Sequence, residues 1–115
     1  MKAHAKTAVR FATALVDYAF DKAHALLSPT LKTQLSPKDL QVRMESMWSG
    51  YAQGRPTRIH FDNEATMETW PGKMQGDVGW VYVSIVGDGF VEAVTVIVTD
   101  FDGQLLIRKI EWGRP

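Results

Sequence analysis

Apolar and polar positions change period once along this chain, and the change divides it in two. From Asp77 to Trp112 the pattern is that of strands. Val78–Val86, Phe90–Phe101 and Gln104–Trp112 are rich in Val, Ile, Tyr, Trp and Thr, which pack well on a pleated surface. Gly87-Asp88-Gly89 and Asp102-Gly103 separate these runs, and Gly supplies the positive φ that short hairpin turns need. Upstream the period is helical. Over residues 3–19, Ala5, Ala8, Val9, Phe11, Ala12, Leu15, Val16 and Ala19 share one face, while Lys2, Lys6, Thr7, Arg10, Thr13 and Asp17 share the other. The alanines in the middle of the apolar face predict close approach to another element.

A short second helix is predicted over Asp21–Leu27. Ser28-Pro29 ends it, because the residue before Pro is pushed away from helical geometry. Thr30–Leu35 adds one more turn. Ser36-Pro37-Lys38-Asp39 reads as a helix start, with Ser as N-cap, Pro at the first helical position and an acid in the first turn. In this third helix Leu40, Met44, Met47, Trp48 and Tyr51 form the apolar face. Thr57–Trp70 reads as the first strand, with Asp62-Asn63 marking a bulge or a shift in phase. Three helices followed by a four-stranded antiparallel meander make an α+β fold, a single domain over residues 1–115.

The middle strands are apolar in both phases. Trp80 and Tyr82 oppose Val81, Val83 and Ile85, and Val94, Val96 and Val98 oppose Val91, Ala93 and Ile97. Three helices can cover only one face of four strands, and monomers rarely expose a large apolar face. A homodimer paired through the open sheet face is therefore expected.

Composition narrows the function classes. Thirteen basic residues balance thirteen acidic ones, which argues against a nucleic-acid partner, whose affinity would come from clustered Lys and Arg. The first 43 residues carry seven basic and three acidic groups, a mild asymmetry. No cysteine is present, so disulfides, thiolate metal sites and Cys nucleophiles are excluded. Lys6 and Arg10 interrupt any apolar run at the N-terminus, and no stretch approaches the ~20 apolar residues of a membrane span. A soluble cytoplasmic location, with no membrane partner, is expected.

Three groups of residues give the chain a likeness to a known family. They are Phe11-Ala-Thr-Ala-Leu-Val-Asp17 followed by Asp21-Lys-Ala-His-Ala-Leu-Leu27, the Ser36-Pro37-Lys-Asp39-Leu40 helix entry, and Asp102-Gly103-Gln-Leu-Leu-Ile107 running to Ile110-Glu-Trp112. In this order they resemble the nuclear transport factor 2-like superfamily. The resemblance implies a cone-shaped, cystatin-like α+β roll: three N-terminal helices packed on a curved four-stranded antiparallel sheet around an internal pocket. The superfamily holds ketosteroid isomerases, dehydratases, cyclases and epoxide hydrolases beside binding and assembly domains, so the fold alone leaves function open. The chain is shorter than the enzymatic members and lacks their early extra strands, and no active-site residue is carried over.

Candidate chemistry is sparse. His4, His24 and His60 have no ligand-like spacing, and no metal or cofactor is expected. Asp100-Phe-Asp102-Gly103 has a calcium-loop look, but Leu105 stands where that loop needs Gly, and a hairpin turn is the better reading. No P-loop, G-x-S-x-G or H-E-x-x-H is present. A pocket would draw on Tyr18, Trp48, Tyr51, His60, Tyr82, Glu92 and Arg108. Glu92 lies between Phe90 and Val94, and Arg108 between Leu106 and Ile110, each in phase with large apolar residues. Facing a pocket, they would pair or hold a ligand; facing outward, they would be interface or rim charges. The function expected first is binding of a small apolar molecule, without a demonstrable catalytic set. A lyase or isomerase on a small hydrophobic substrate comes next, and a protein-interaction module, such as an immunity or assembly domain, third.

Overall fold

The computed structural model describes residues 1–50 and 54–114. Four helices precede five strands: α1 (Ala3–Val16), α2 (Phe20–Ala25), α3 (Pro29–Gln34), α4 (Pro37–Trp48), β1 (Arg58–His60), β2 (Thr66–Met67), β3 (Asp77–Gly87), β4 (Phe90–Phe101) and β5 (Gln104–Trp112). The fold is α+β, with N-terminal helices packed on an antiparallel sheet of four main strands in the order β1-β3-β4-β5. The sheet is neither closed nor strongly curled, and so is flatter than the cone that the family resemblance implies. Among the described residues, no helix is long and apolar enough to cross a membrane.

Local chemistry explains where the elements differ from the sequence reading. The turn expected at Thr30–Leu35 is a helix of its own, α3, whose N-cap Ser28 accepts from Leu31 N–H. Helix α4 starts as predicted: Ser36 Oγ accepts from Asp39 N–H, and Asp39 accepts from Ser36 N–H. The expected first strand is two short ones. Between them Asp62 accepts from Glu64 N–H through its side chain and from Ala65 N–H through its carbonyl, a tight turn that interrupts the ladder until Ala65 O accepts from Tyr82 N–H. The two long hairpins fall where the Gly-containing turns predict, with Asp102 and Gly103 both at positive φ.

One face of the sheet is dry. Val81, Val83, Ile85, Val94, Val96, Val98 and Ile107 are fully buried beneath Ala8, Phe11, Ala12 and Leu15 of α1, with Leu27, Leu40 and Met44 closing the sides. Alanines let α1 lie close to β3. Closest of all is Gly79, where an added Cβ would come within 2.2 Å of the buried His4 ring. That ring's Nε2 stands 3.1 Å from Thr66 Oγ1.

Among the described residues, no helix covers the opposite face. Met67, Val91 and, in phase with Thr99 at the end of β4, Phe101 are the exposed large apolar residues there, while Trp80 and Tyr82 are half-buried. Ala93, Thr95 and Ile97 on the central strand are already buried within one chain. The apolar area left open is thus smaller than alternation alone suggests.

Two bulges flank β4 at the same level. The β3–β4 register shifts between Asp77 and Gly79, and the β4–β5 register shifts between Ile97 and Val98. The second has a consequence for side chains: Leu106 and Arg108 point to the open face, while Ile110, opposite Val96, points to the helices. Arg108 reaches across β4 to Asp77, whose side chain is inaccessible to solvent, with Nε 2.7 Å and Nη2 2.6 Å from its two oxygens. Burial alone would raise the Asp77 carboxyl; the Arg108 hydrogen bonds, with Met74 N–H and Thr99, hold it below the usual carboxylate range instead.

Arg108→Ala leaves Asp77 buried and unpaired, and should lower unfolding free energy by about 3 kcal/mol, with much of it recovered in Arg108→Ala/Asp77→Ala. Urea titrations measure this, and a loss below about 0.5 kcal/mol would place the pair at the surface. Burial lowers the His4 pKa, with Glu68 opposing and Lys2 assisting. The unfolded chain therefore binds the proton more readily, and stability present above about pH 6.5 is lost as pH falls below it. Denaturation midpoints at about pH 7 and 5 should differ less in His4→Leu than in the unchanged protein.

Candidate functional site

The end of α1 sets up the site. Asp17 N–H bonds to Thr13 O, Tyr18 N–H to Leu15 O, and Ala19 N–H to Ala14 O. This is a Schellman close, whose left-handed position normally takes Gly. Here Tyr18 occupies it at φ 57°, at a cost of roughly 1–2 kcal/mol for an L-residue. Strain of this kind persists where surrounding contacts fix it. Tyr18 Oη donates to Glu45 Oε2 at 3.0 Å, its ring meets Phe20 edge-on at 5.0 Å, and the Arg55 guanidinium lies 4.4 Å from the ring centroid.

The neighbouring elements bring further groups to this end of the molecule. Glu45 sits one turn before Trp48 on α4, so both lie on one side of that helix. Trp48 packs against the core, and its indole nitrogen is buried with no acceptor among the described residues. Arg55 leads into β1, where Thr57 N–H bonds to Val86 O at the far end of β3. Beside that end stands Glu92 of β4, opposite the buried Ile85 and hence on the helix-covered face. Its side chain is 13% exposed, with Arg114 Nε 3.9 Å away. Trp112, opposite Val94, completes the end with its ring 6.5 Å from Phe11.

Glu45, Arg55 and Phe20 thus surround Tyr18 where α1 ends, while Glu92 with Arg114 and Trp112 with Phe11 stand at the same end of the sheet. Burial, then the bond to Glu45, raises the Tyr18 phenol above its ordinary value, with Arg55 opposing. At neutral pH this phenol is a hydrogen-bond donor and not a base.

The seven residues singled out in the sequence divide between the two faces. Tyr18, Trp48 and Glu92 stand at this end on the helix side. Tyr51 lies outside the described residues. His60, opposite Ser84, Tyr82, opposite Thr95, and Arg108 all belong to the open face. His60 is exposed there, and Arg108 is committed to Asp77. No single pocket holds all seven. Glu45, Arg55 and Arg114 were not singled out, since each reads as an ordinary surface charge. Only the one-turn spacing of Glu45 and Trp48 carried a signal. Compared with known protein-family models, curated proteins and solved structures, the chain matches none.

Alkaline titration tests the environment of Tyr18. The absorbance difference between the protein and Tyr18→Phe should contain one phenol ionising above pH ~10, and the stability this group lends should fade as pH rises through that range. A difference transition at or below the ordinary value would contradict the buried, Glu45-bonded phenol.

Proposed function

We propose that the protein is a small, non-catalytic member of the nuclear transport factor 2-like superfamily. In this reading it binds a small, largely apolar molecule where Tyr18, Trp48 and Glu92 converge, and pairs with a second copy through the open sheet face. The observation that carries the binding half is Tyr18. A position suited to Gly holds a strained tyrosine whose hydroxyl and ring are both engaged by charged neighbours. A residue kept at a cost in stability is expected to serve the site rather than the fold.

The chemistry of the surroundings supports a ligand with an apolar body and one or two oxygens. Trp48 and Trp112 offer aromatic surface, the protonated Tyr18 phenol and the Trp48 indole N–H are donors, and Arg55 and Arg114 would steer a carbonyl or carboxylate. A phenol that is protonated at neutral pH and donates to Glu45 favours hydrogen bonding to a ligand over proton abstraction by the phenol itself. For the pairing half, support comes from Trp80 and Tyr82, half-buried on a face without helices, beside exposed Val91. Flat pairing of two such faces would leave the helix-side end of each copy free for its ligand.

Native mass spectrometry on protein purified from cells tests both halves together. The expected result is a dimer carrying a retained small molecule, which Tyr18→Phe weakens by about tenfold or more and Tyr82→Ala does not. A dimer that carries nothing, and whose Tyr18→Phe variant binds apolar dyes unchanged, would overturn the binding half. A monomer at micromolar concentration would overturn the pairing half.

A further inference from the structure

A second surface runs along the outer side of α1 and reaches Asp17 and Ala19, on either side of Tyr18. Two adjoining clefts of about 640 and 380 Å³ share Arg10 and Leu26. The first runs between α1 and α2, and the second between α1 and the start of β5. Val9, Ala14, Ala19, Leu26 and Leu105 provide an apolar floor, most of it half-buried. Lys6, Arg10 and Lys22 stand around it, and Asp17 closes one end. Lys6, Arg10, Thr13 and Asp17 follow one another at helical spacing, so the stripe from Lys6 to Asp17 is about 16 Å long.

The cations here are exposed to solvent. Among the described residues, none of Lys6, Arg10 and Lys22 lies within ion-pair distance of a carboxylate. The rim is therefore cationic by three charges against one, over a floor that prefers apolar contact. A nucleic acid would use the cations and waste the floor, since phosphate binding needs a lattice of Lys and Arg. A purely apolar ligand would use the floor and leave the cations idle.

We propose that this groove docks an acidic amphipathic helix of another protein, about three turns long. Its apolar residues lie on Val9, Ala19 and Leu26, and its carboxylates pair with Lys6, Arg10 and Lys22. This is helix-in-groove recognition, with apolar anchors giving affinity and charge giving orientation and on-rate. It rests on different side chains from the small-molecule site, which it adjoins at Asp17 and Ala19 on either side of Tyr18.

Backbone amide NMR of the whole chain tests it with a synthetic amphipathic peptide of about fourteen residues, Leu at helical spacing and Glu on the flanks. The Glu peptide should shift amides of Val9–Asp17 and Lys22–Leu26. The same peptide with Gln for Glu, or the variant Arg10→Gln/Lys22→Gln, should bind about tenfold more weakly, while Lys73→Gln has no effect. Equal binding of the Glu and Gln peptides would overturn the proposal. So would absence of shifts up to about 1 mM peptide. Shifts of the same amides on dilution of the protein alone would overturn it too, by making a second copy the occupant.

Discussion

How closely α1 can lie on the sheet decides the rest of this structure. Ala5, Ala8 and Ala12 keep the helix thin on its inner side, Gly79 removes the side chain beneath His4, and the fully buried valines of β3 and β4 fill what remains. Close packing of this kind is sensitive to added volume, so the helix has one seat. With α1 fixed there, its C-terminus must turn sharply to send α2 back, and the turn puts Tyr18 in the left-handed conformation beside α4. The outer stripe of α1 is fixed in the same step, facing α2 and the start of β5 rather than the core.

The other constraint is the pair of bulges beside Thr99. Each adds a residue to a strand beside β4 at the level where Asp77 and Arg108 meet over it. The pairing makes a buried carboxylate tolerable and ties β3 to β5 on the face without helices. It also decides which residues can belong to one site. Arg108 is occupied on the open face and cannot serve the helix side, where Glu92 stands.

Much of the fold was legible because its signals are local. Gly87-Asp88-Gly89 and Asp102-Gly103 place two hairpins, Ser36-Pro37 with Asp39 places the start of α4, and the Ala–Phe–Leu periodicity places the buried face of α1. The candidate site was less legible. Strict alternation puts Arg108 and Ile110 on one face, and a bulge, which has no sequence signature here, separates them. Alternation also cannot show which face the His60 phase takes; that depends on Ile59 pairing with Ile85. Nothing in Phe11–Phe20 announces a tyrosine at a glycine-type position, and Glu45 and Arg55 acquire meaning only once Tyr18 lies between them.

The central claim is that the two faces do different work, and the four tryptophans report on them separately. Trp48 and Trp112 stand on the helix side, and Trp70 and Trp80 line a cleft on the open face. Indole ¹⁵N–¹H spectra of one labelled sample would follow all four at once. On dilution the Trp80 signal should move while Trp48 and Trp112 stay; on removal of retained small molecules by unfolding and refolding, Trp48 should move while Trp70 and Trp80 stay. Four signals that move together in both experiments, or a Trp48 signal indifferent to ligand removal, would contradict the account.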